Sequence, residues 1–188
     1  MNALGAQGRG LYRIAELSGQ RPEEADISRE LMLSDTDGTI RTVGNLYDYF
    51  SAPDDDTALT TFEGGPAAVG LPLLDAKGMD PYLLIGAAEA LLTGTTFDEV
   101  AAQPRFNHLL GDPEAGSRWV VTLTDQLRDV LAEASTERLA AVAVPWSRTE
   151  EFNGSADPEI LTDFLGRLAD IARQARTQGH GLYCWVSL

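Results

Sequence analysis

The stretch that decides the fold is residues 157–188, DPEILTDFLGRLADIARQARTQGHGLYCWVSL. It opens with the signals of a helix start, because Asp157 suits the N-cap and Pro158 the first helical position. Apolar residues then recur at helical spacing and form one broad face: Ile160, Leu161, Phe164, Leu165, Leu168, Ile171, Ala172 and Ala175. Gly179 ends the helix, and residues 182–186, LYCWV, are apolar on both faces, which is typical of an interior strand. We therefore expect the fold to be built around a C-terminal helix and the buried strand that follows it.

The N-terminal part has the pattern of an antiparallel β meander. Two strand-like runs, residues 30–34 and 39–43, flank an Asp-Gly step at residues 37–38. Asp-Gly is a strong hairpin signal, since both central residues of a type I′ turn need positive φ. Residues 46–50, LYDYF, form an aromatic cluster that we expect to pack on this hairpin, and residues 58–62, ALTTF, are a possible further strand.

The second half of the chain is predicted to be largely helical. Its helix starts are marked by capping residues: Asp80 before Pro81, the capping box Thr96 to Glu99, Thr124 and Ser135. Helices and strands do not alternate regularly, which favours α+β over α/β. We therefore predict one α+β domain over residues 1–188: an N-terminal antiparallel β meander, a helical second half, and a C-terminal helix followed by a buried strand that returns to the sheet.

The charge of the chain narrows the classes of partner. Twenty-nine acids against fourteen bases give a net charge of −15, which disfavours nucleic acid and anionic lipid as partners. No apolar run has the length of a membrane span, and the first residues lack the pattern of a secretory signal. The abundance of Ala, Gly, Asp and Arg resembles the coding usage of a GC-rich bacterial genome. These features predict a cytoplasmic bacterial protein with no membrane or nucleic-acid partner.

Two groups of acidic residues are candidate partner-binding surfaces. The first is Asp54, Asp55 and Asp56, in the segment 51–56 that we expect to be an exposed loop. No Gly and distal Glu stand at the offsets of an EF-hand loop, so we predict no metal site there.

The second candidate surface surrounds the start of the C-terminal helix. Glu150, Glu151 and Asp157 lie close in sequence to Trp146 and Phe152. Carboxylates around aromatic anchors suit a surface rich in Arg and Lys. This group therefore predicts contact with a basic protein.

Residue patterns of enzymes and cofactor sites are weak or missing in the sequence. Two His and one Cys make a zinc site improbable, and no nucleophile elbow, Walker loop or dinucleotide fingerprint occurs. His180 is expected to cap the last helix, and Cys184 to be an inert core residue. We predict no cofactor and no metal.

One motif resembles that of a known enzyme family. Residues 35–40, DTDGTI, resemble the first signature of the haloacid-dehalogenase-like phosphatases, Asp-x-Asp-Gly-Thr followed by an aliphatic residue. The resemblance covers six residues and implies a nucleophilic role for Asp35 and a proton-shuttling role for Asp37, with Mg²⁺ bound. Residues matching the family's later groups occur in the expected order: Thr60 or Thr61, Lys77, and Asp112 with Glu114. A hairpin turn explains the same six residues without chemistry.

The sequence thus favours a non-enzymatic protein that binds and neutralises a basic protein. An immunity protein or inhibitor paired with a toxin is the concrete form of this expectation. The alternative is a Mg²⁺-dependent phosphohydrolase of haloacid-dehalogenase-like type that uses Asp35 and Asp37. A structural subunit of a larger assembly is a third interpretation.

Overall fold

The computed structural model describes residues 33–34, 40–41, 45–112, 114, 116–154 and 156–188. The chain divides into two units, residues 1–44 and residues 45–188. Each unit is described by itself, and the organisation of residues 1–188 as a single domain stays a prediction.

The first unit contains a two-stranded antiparallel sheet formed by β1 (Leu33–Ser34) and β2 (Ile40–Arg41). Leu33 lies opposite Arg41 and Ser34 opposite Ile40. The antiparallel pairing agrees with a hairpin, but a two-residue turn at Asp37-Gly38 would place Ser34 opposite Arg41, so the register differs by one residue from the predicted one. The turn residues themselves, 35–39, lie outside the described residues.

The second unit contains a five-stranded sheet and, among its described residues, seven α-helices. Its strands are β3 (Leu46–Ala52), β4 (Leu73–Asp75), β5 (Leu109–Leu110), β6 (Arg118–Thr122) and β7 (Gly181–Ser187). Its helices are α1 (Asp55–Leu59), α2 (Gly65–Ala68), α3 (Leu83–Thr93), α4 (Phe97–Ala101), α5 (Asp125–Glu133), α6 (Thr136–Trp146) and α7 (Pro158–Gln178), with a 3₁₀ turn at Glu150–Phe152. The strand order is β4-β3-β7-β6-β5, and every pair is antiparallel. The predicted α+β class is confirmed.

The C-terminal helix and strand have the places that the sequence predicts. Asp157 caps α7, and its carboxylate accepts a hydrogen bond from the Glu159 amide at 2.8 Å. Gly179, at φ 70°, ends the helix in the left-handed conformation. β7 then lies between β3 and β6, with residues 182–186 buried. The returning C-terminal strand is therefore the centre of the sheet.

Both faces of the sheet are covered, and neighbouring residues of β7 point to opposite faces. On one face Cys184 lies opposite Tyr49, whose ring meets the Phe164 ring of α7 at 5.8 Å. On the other face Tyr183 stacks on Phe50 at 5.6 Å. Longer helices cover the first face, and the α1–α2 segment covers the second.

Two segments differ from the expectation. Residues 51–56 are not a loop throughout, because Asp54 caps α1 and Asp55 and Asp56 supply acids to its first turn. Residues 58–62 are the end of α1 and the turns after it, not a strand. Residues 46–50 lie in β3, which pairs with β4 and β7, and the expected packing of this aromatic cluster on the hairpin stays a prediction.

Candidate functional site

A cleft of about 500 Å³ lies at the end of the sheet where β3 finishes and β7 begins. We call it the sheet-end cleft. Its lining comes from four separate parts of the chain: Pro53, Asp54, Asp55, Asp56, Arg105, Asp125, Arg128, Gly179, Gly181 and Tyr183. Antiparallel pairing of β3 with β7 brings the start of α1 beside the end of α7, although their sequences are far apart.

The start of α1 holds the first acidic group in place. The Asp54 carboxylate accepts a hydrogen bond from the Thr57 amide at 2.8 Å. Hydrogen bonds from Thr57 hold the pKa of Asp54 below its ordinary value. Asp54 and Asp56 are exposed, and Asp55 is partly buried. The three predicted carboxylates therefore lie together, but in different environments.

Asp55, Arg105 and Tyr183 form the floor of the cleft. Arg105 Nη1 donates to Asp55 Oδ1 at 3.0 Å, and the Tyr183 hydroxyl donates to the same oxygen at 2.8 Å. The Arg105 Cζ atom lies 5.4 Å from the centroid of the Tyr183 ring, so the cation also faces the ring. Burial, together with the neighbouring Asp55 carboxylate, raises the pKa of Tyr183 to about 12. The hydroxyl therefore stays protonated and serves as a donor.

A second arginine ties the wall of the cleft together. Arg128 donates to Asp125 at 2.9 Å and to Asp129 at 2.8 Å. It also donates to the His180 carbonyl oxygen at 3.2 Å, which links α5 to the segment between α7 and β7. Both arginines of the cleft are therefore already paired with carboxylates.

The lining carries more negative than positive charge. Four Asp against two Arg leave a net charge of −2 on the residues that line the cleft. Asp56 makes no ion pair with the residues that the structure describes. The exposed edge of the cleft is therefore acidic.

The second predicted surface is assembled only in part. Glu150, Glu151 and Asp157 are exposed, as a contact surface requires. Trp146, however, is fully buried, and its Nε1 donates to the Leu84 carbonyl oxygen at 3.0 Å. The expectation that Trp146 is a surface anchor is wrong, because its ring is part of the core beneath this surface.

Phe152 lies between the core and the surface. It is partly buried, and its ring meets the Trp146 ring edge-on, with centroids 5.4 Å apart. The 3₁₀ turn Glu150–Phe152 is therefore held on the protein by Phe152, while its two carboxylates face outward.

The two acidic surfaces are far apart. Asp157 precedes the first residue of α7, whereas Gly179 follows the last residue and lines the sheet-end cleft. The helix has 21 residues, which corresponds to roughly 30 Å at 1.5 Å per residue. One small partner surface is therefore not expected to contact both groups in the same way.

Sequence reasoning missed a buried carboxyl group on α3. Glu89 is only 1% exposed, and its Oε1 accepts hydrogen bonds from Thr124 Oγ1 at 2.5 Å and from Gln103 Nε2 at 3.1 Å. Burial raises the pKa of Glu89. The sequence feature that could have identified this group is an acidic residue within the apolar helix α3. Glu89 joins α3 to the N-cap of α5 and lies outside the sheet-end cleft.

The described residues include only part of the phosphatase resemblance. Asp35 and Asp37 lie outside the described residues, and the strands on either side of them pair antiparallel. Thr60 and Thr61 donate their hydroxyls to carbonyl oxygens of α1. Within the described residues no group of three or more His, Cys, Asp and Glu is placed to hold a metal ion. The phosphohydrolase alternative stays a prediction.

Comparisons with protein-family models, with curated proteins and with solved structures give no match for this chain. In the part of the chain that the structure describes, no helix combines the length and the apolar character needed to cross a bilayer.

Proposed function

We propose that this protein is a non-enzymatic bacterial protein of the cytoplasm that binds and neutralises a basic protein, as an immunity protein or inhibitor does. The observation that supports the proposal most strongly is the surplus of carboxylates at the sheet-end cleft. A concave surface with one sign of charge concentrates field lines and attracts a partner of the opposite charge.

The local structure supports a preorganised binding surface. Asp54 is fixed by its cap to α1, and Asp55 is fixed by Arg105 and Tyr183. Side chains held in place before binding lose less conformational freedom when a partner arrives. The exposed carboxylates of Asp54 and Asp56 then stand on a rigid base.

The proposal ranks the two acidic surfaces. Glu150, Glu151 and Asp157 remain candidates because they are exposed, but the aromatic anchor predicted beside them is buried. The sheet-end cleft combines charge with concavity, and interface energy concentrates where side chains of one protein fill a recess in the other. We therefore assign the main contact to the sheet-end cleft and a lesser one to the 150–157 surface.

The test begins with the proteins encoded by the genes on either side of this one. Each is purified, and its binding to this protein is measured by isothermal titration at low and at high salt. A basic partner is expected, with affinity falling by at least about tenfold between 50 and 300 mM salt, because salt screens charge attraction. Complexes whose affinity does not change with salt would remove the electrostatic basis of the proposal.

A further inference from the structure

Helix α3 presents an apolar face to solvent. Leu83 is 48% exposed and Leu91 is 38% exposed, and the partly buried Ala87 lies midway between them. Residues four apart lie one above the other on a helix, so these three side chains form one stripe, about 12 Å long at 1.5 Å per residue. We call Leu83, Ala87 and Leu91 the α3 stripe. The helix has a single ionisable side chain, Glu89, and that residue is buried.

An uncharged outer face is unusual for a surface helix. Such a helix normally carries charged or polar residues on the side that faces water. The exposed positions of α7 follow this rule, since they include Glu159, Arg167 and Asp170. The α3 stripe does not, although the chain as a whole is rich in charge. Its composition is that of a contact surface.

The two ends of α3 carry opposite charges. At its start, the Asp80 carboxylate accepts hydrogen bonds from the amides of Tyr82 and Leu83 at 2.9 and 2.8 Å. At its end, Arg138 of α6 donates from Nη2 to the Leu92 carbonyl oxygen at 2.6 Å. Neither Asp80 nor Arg138 forms an ion pair with the residues that the structure describes. The stripe therefore lies between a carboxylate without a cation and a guanidinium without a carboxylate.

A second copy of this chain matches both the stripe and its ends. In an antiparallel pair of α3 helices with a two-fold axis at Ala87, Leu83 of each copy faces Leu91 of the other. The Asp80 and Arg138 ends of the helix lie at similar distances from that axis, roughly 8 to 11 Å at 1.5 Å per residue. Each Arg138 then lies near the Asp80 of the other copy. The antiparallel helix dipoles also attract each other.

The charge of the chain favours a copy over the basic partner at this face. A net charge of −15 makes two copies repel, and the repulsion is smallest where the facing surfaces carry no exposed acid. The basic partner is attracted by carboxylates, which the α3 stripe lacks. An uncharged surface of matching shape is what the stripe can contact, and the second copy supplies one.

We propose that α3 forms the contact of a two-fold symmetric dimer of this protein. The small side chain of Ala87 lies at the crossing point and lets the two helices approach closely. Eleven residues of helix give a small interface, below the total of about 1,200 Å² that stable complexes bury, so we expect a weak dimer with a Kd on the order of 100 µM. The α3 stripe shares no residue with either acidic surface, and the dimer is therefore independent of the proposed function.

Sedimentation equilibrium of the full-length protein measures the association. The chain has a mass of 20.3 kDa, and the weight-average mass should rise towards twice that value between about 10 µM and about 1 mM protein. Leu83→Glu places an unpaired acid in the contact and should weaken the dimer at least about tenfold. Leu83 is the first residue of α3, where an acid is favourable to a helix, so this variant should fold.

Val69→Glu is the matched control for the apolar change. Val69 is 47% exposed, close to the value for Leu83, and follows α2, which covers the other face of the sheet. Both variants add one acid to the chain. Val69→Glu should therefore dimerise as the wild type does.

A second pair of variants tests the charges at the helix ends. Arg138→Gln removes the cation and keeps a donor for the Leu92 carbonyl oxygen, and should weaken the dimer about threefold. Arg167→Gln changes the net charge equally at an exposed position of α7 and should have a smaller effect. Equal effects of the two variants would overturn the pairing of Arg138 with Asp80.

Cysteine cross-linking tests the antiparallel arrangement without weakening the contact. Under mild oxidation, a mixture of Leu83→Cys and Leu91→Cys should form a disulfide-linked dimer faster than either variant alone. The native Cys184 is buried and should not interfere. Faster cross-linking of Leu83→Cys with itself would overturn the antiparallel arrangement.

The sedimentation results decide the occupant of the face. A protein that stays monomeric at about 1 mM, or that dimerises equally well with Leu83→Glu, would overturn the inference. A monomer in which Leu83→Glu lowers the affinity for the basic partner would assign the α3 stripe to that partner instead. A weak dimer that is lost in Leu83→Glu and kept in Val69→Glu would support the inference, whether or not a basic partner is found.

Discussion

Replacing Trp146 tests the correction that the structure makes to the second acidic surface. The indole is fully buried and donates to the Leu84 carbonyl oxygen at 3.0 Å. It packs edge-on against Phe152 at 5.4 Å and at a tilt against Phe164 at 6.2 Å. Trp146→Phe removes the hydrogen bond and keeps an aromatic ring. Trp146→Ala removes both.

The structure gives an expected size for each change. Loss of the hydrogen bond, with a modest loss of packing, should lower the free energy of unfolding by about 1–2 kcal/mol in Trp146→Phe. Loss of the whole ring should lower it by about 3–5 kcal/mol in Trp146→Ala. Since domains of this size are stable by about 5–15 kcal/mol, the Ala variant should be severely destabilised.

Urea denaturation followed by far-ultraviolet circular dichroism measures both changes. The two variants should differ clearly from each other and from the wild type in the free energy of unfolding. The slope of that free energy against urea concentration should be the same for all three proteins. If Trp146→Ala costs less than about 1 kcal/mol, the residue behaves as a surface side chain. Such a result would refute its place in the core and return it to the candidate binding surface.

Three further changes follow from other parts of the structure. Burial raises the pKa of Glu89, so the wild type loses stability as pH rises from the ordinary glutamate range through that raised pKa. Glu89→Gln cannot ionise and should gain stability relative to the wild type across this window; a difference that does not change with pH, by urea denaturation, would contradict this. Asp75 lies opposite Asp48, whose pKa is raised by burial and by Asp75, so Asp75→Asn should add about 0.5 kcal/mol at neutral pH and nothing near pH 3, measured by denaturation at both pH values. Deletion of residues 183–188 removes most of the central strand β7 and should leave an unfolded chain by circular dichroism; a folded product would disprove the central position of β7.

Helix starts were predictable because capping is local chemistry. Asp157 with Pro158 and the capping box at Thr96 each occupy the position that the sequence indicates. The apolar run 182–186 also identified a central strand, since a strand buried on both faces has no polar alternation. These predictions needed no knowledge of distant residues.

Some elements could not be predicted from the sequence, because they depend on pairing with distant parts of the chain. β6 was not predicted, although residues 118–122 form a strand beside β7. Its central residues are apolar, but the run is only five residues long and lies between a glycine-containing segment and a helix cap. Such a short run does not show a clear hydrophobic period. Asp54–Asp56 were expected in a loop because three adjacent acids are typical of exposed turns. Acids are also favourable at a helix N-terminus, because they interact with its dipole, and the structure has a helix start here.

The candidate site could be predicted only in its separate parts. Asp54, Asp55 and Asp56 were identified from their charge, but Arg105 and Tyr183 were not. Contact between Asp55 and Tyr183 joins positions 128 residues apart, and it depends on the register of β3 with β7. Trp146 shows the opposite error, because an aromatic residue near acids has the same composition whether it is buried or exposed.

Two pairs of variants, compared in the complex with the basic partner, test most directly which surface binds that partner. Asp54→Asn with Asp56→Asn neutralises the rim of the sheet-end cleft and keeps the helix cap, since Asn caps as well as Asp. Glu150→Gln with Glu151→Gln neutralises the other surface. Affinity by isothermal titration at low salt should fall about tenfold or more for the first pair and about twofold or less for the second. Equal losses, or a larger loss for the second pair, would contradict the assignment of the binding surface to the sheet-end cleft.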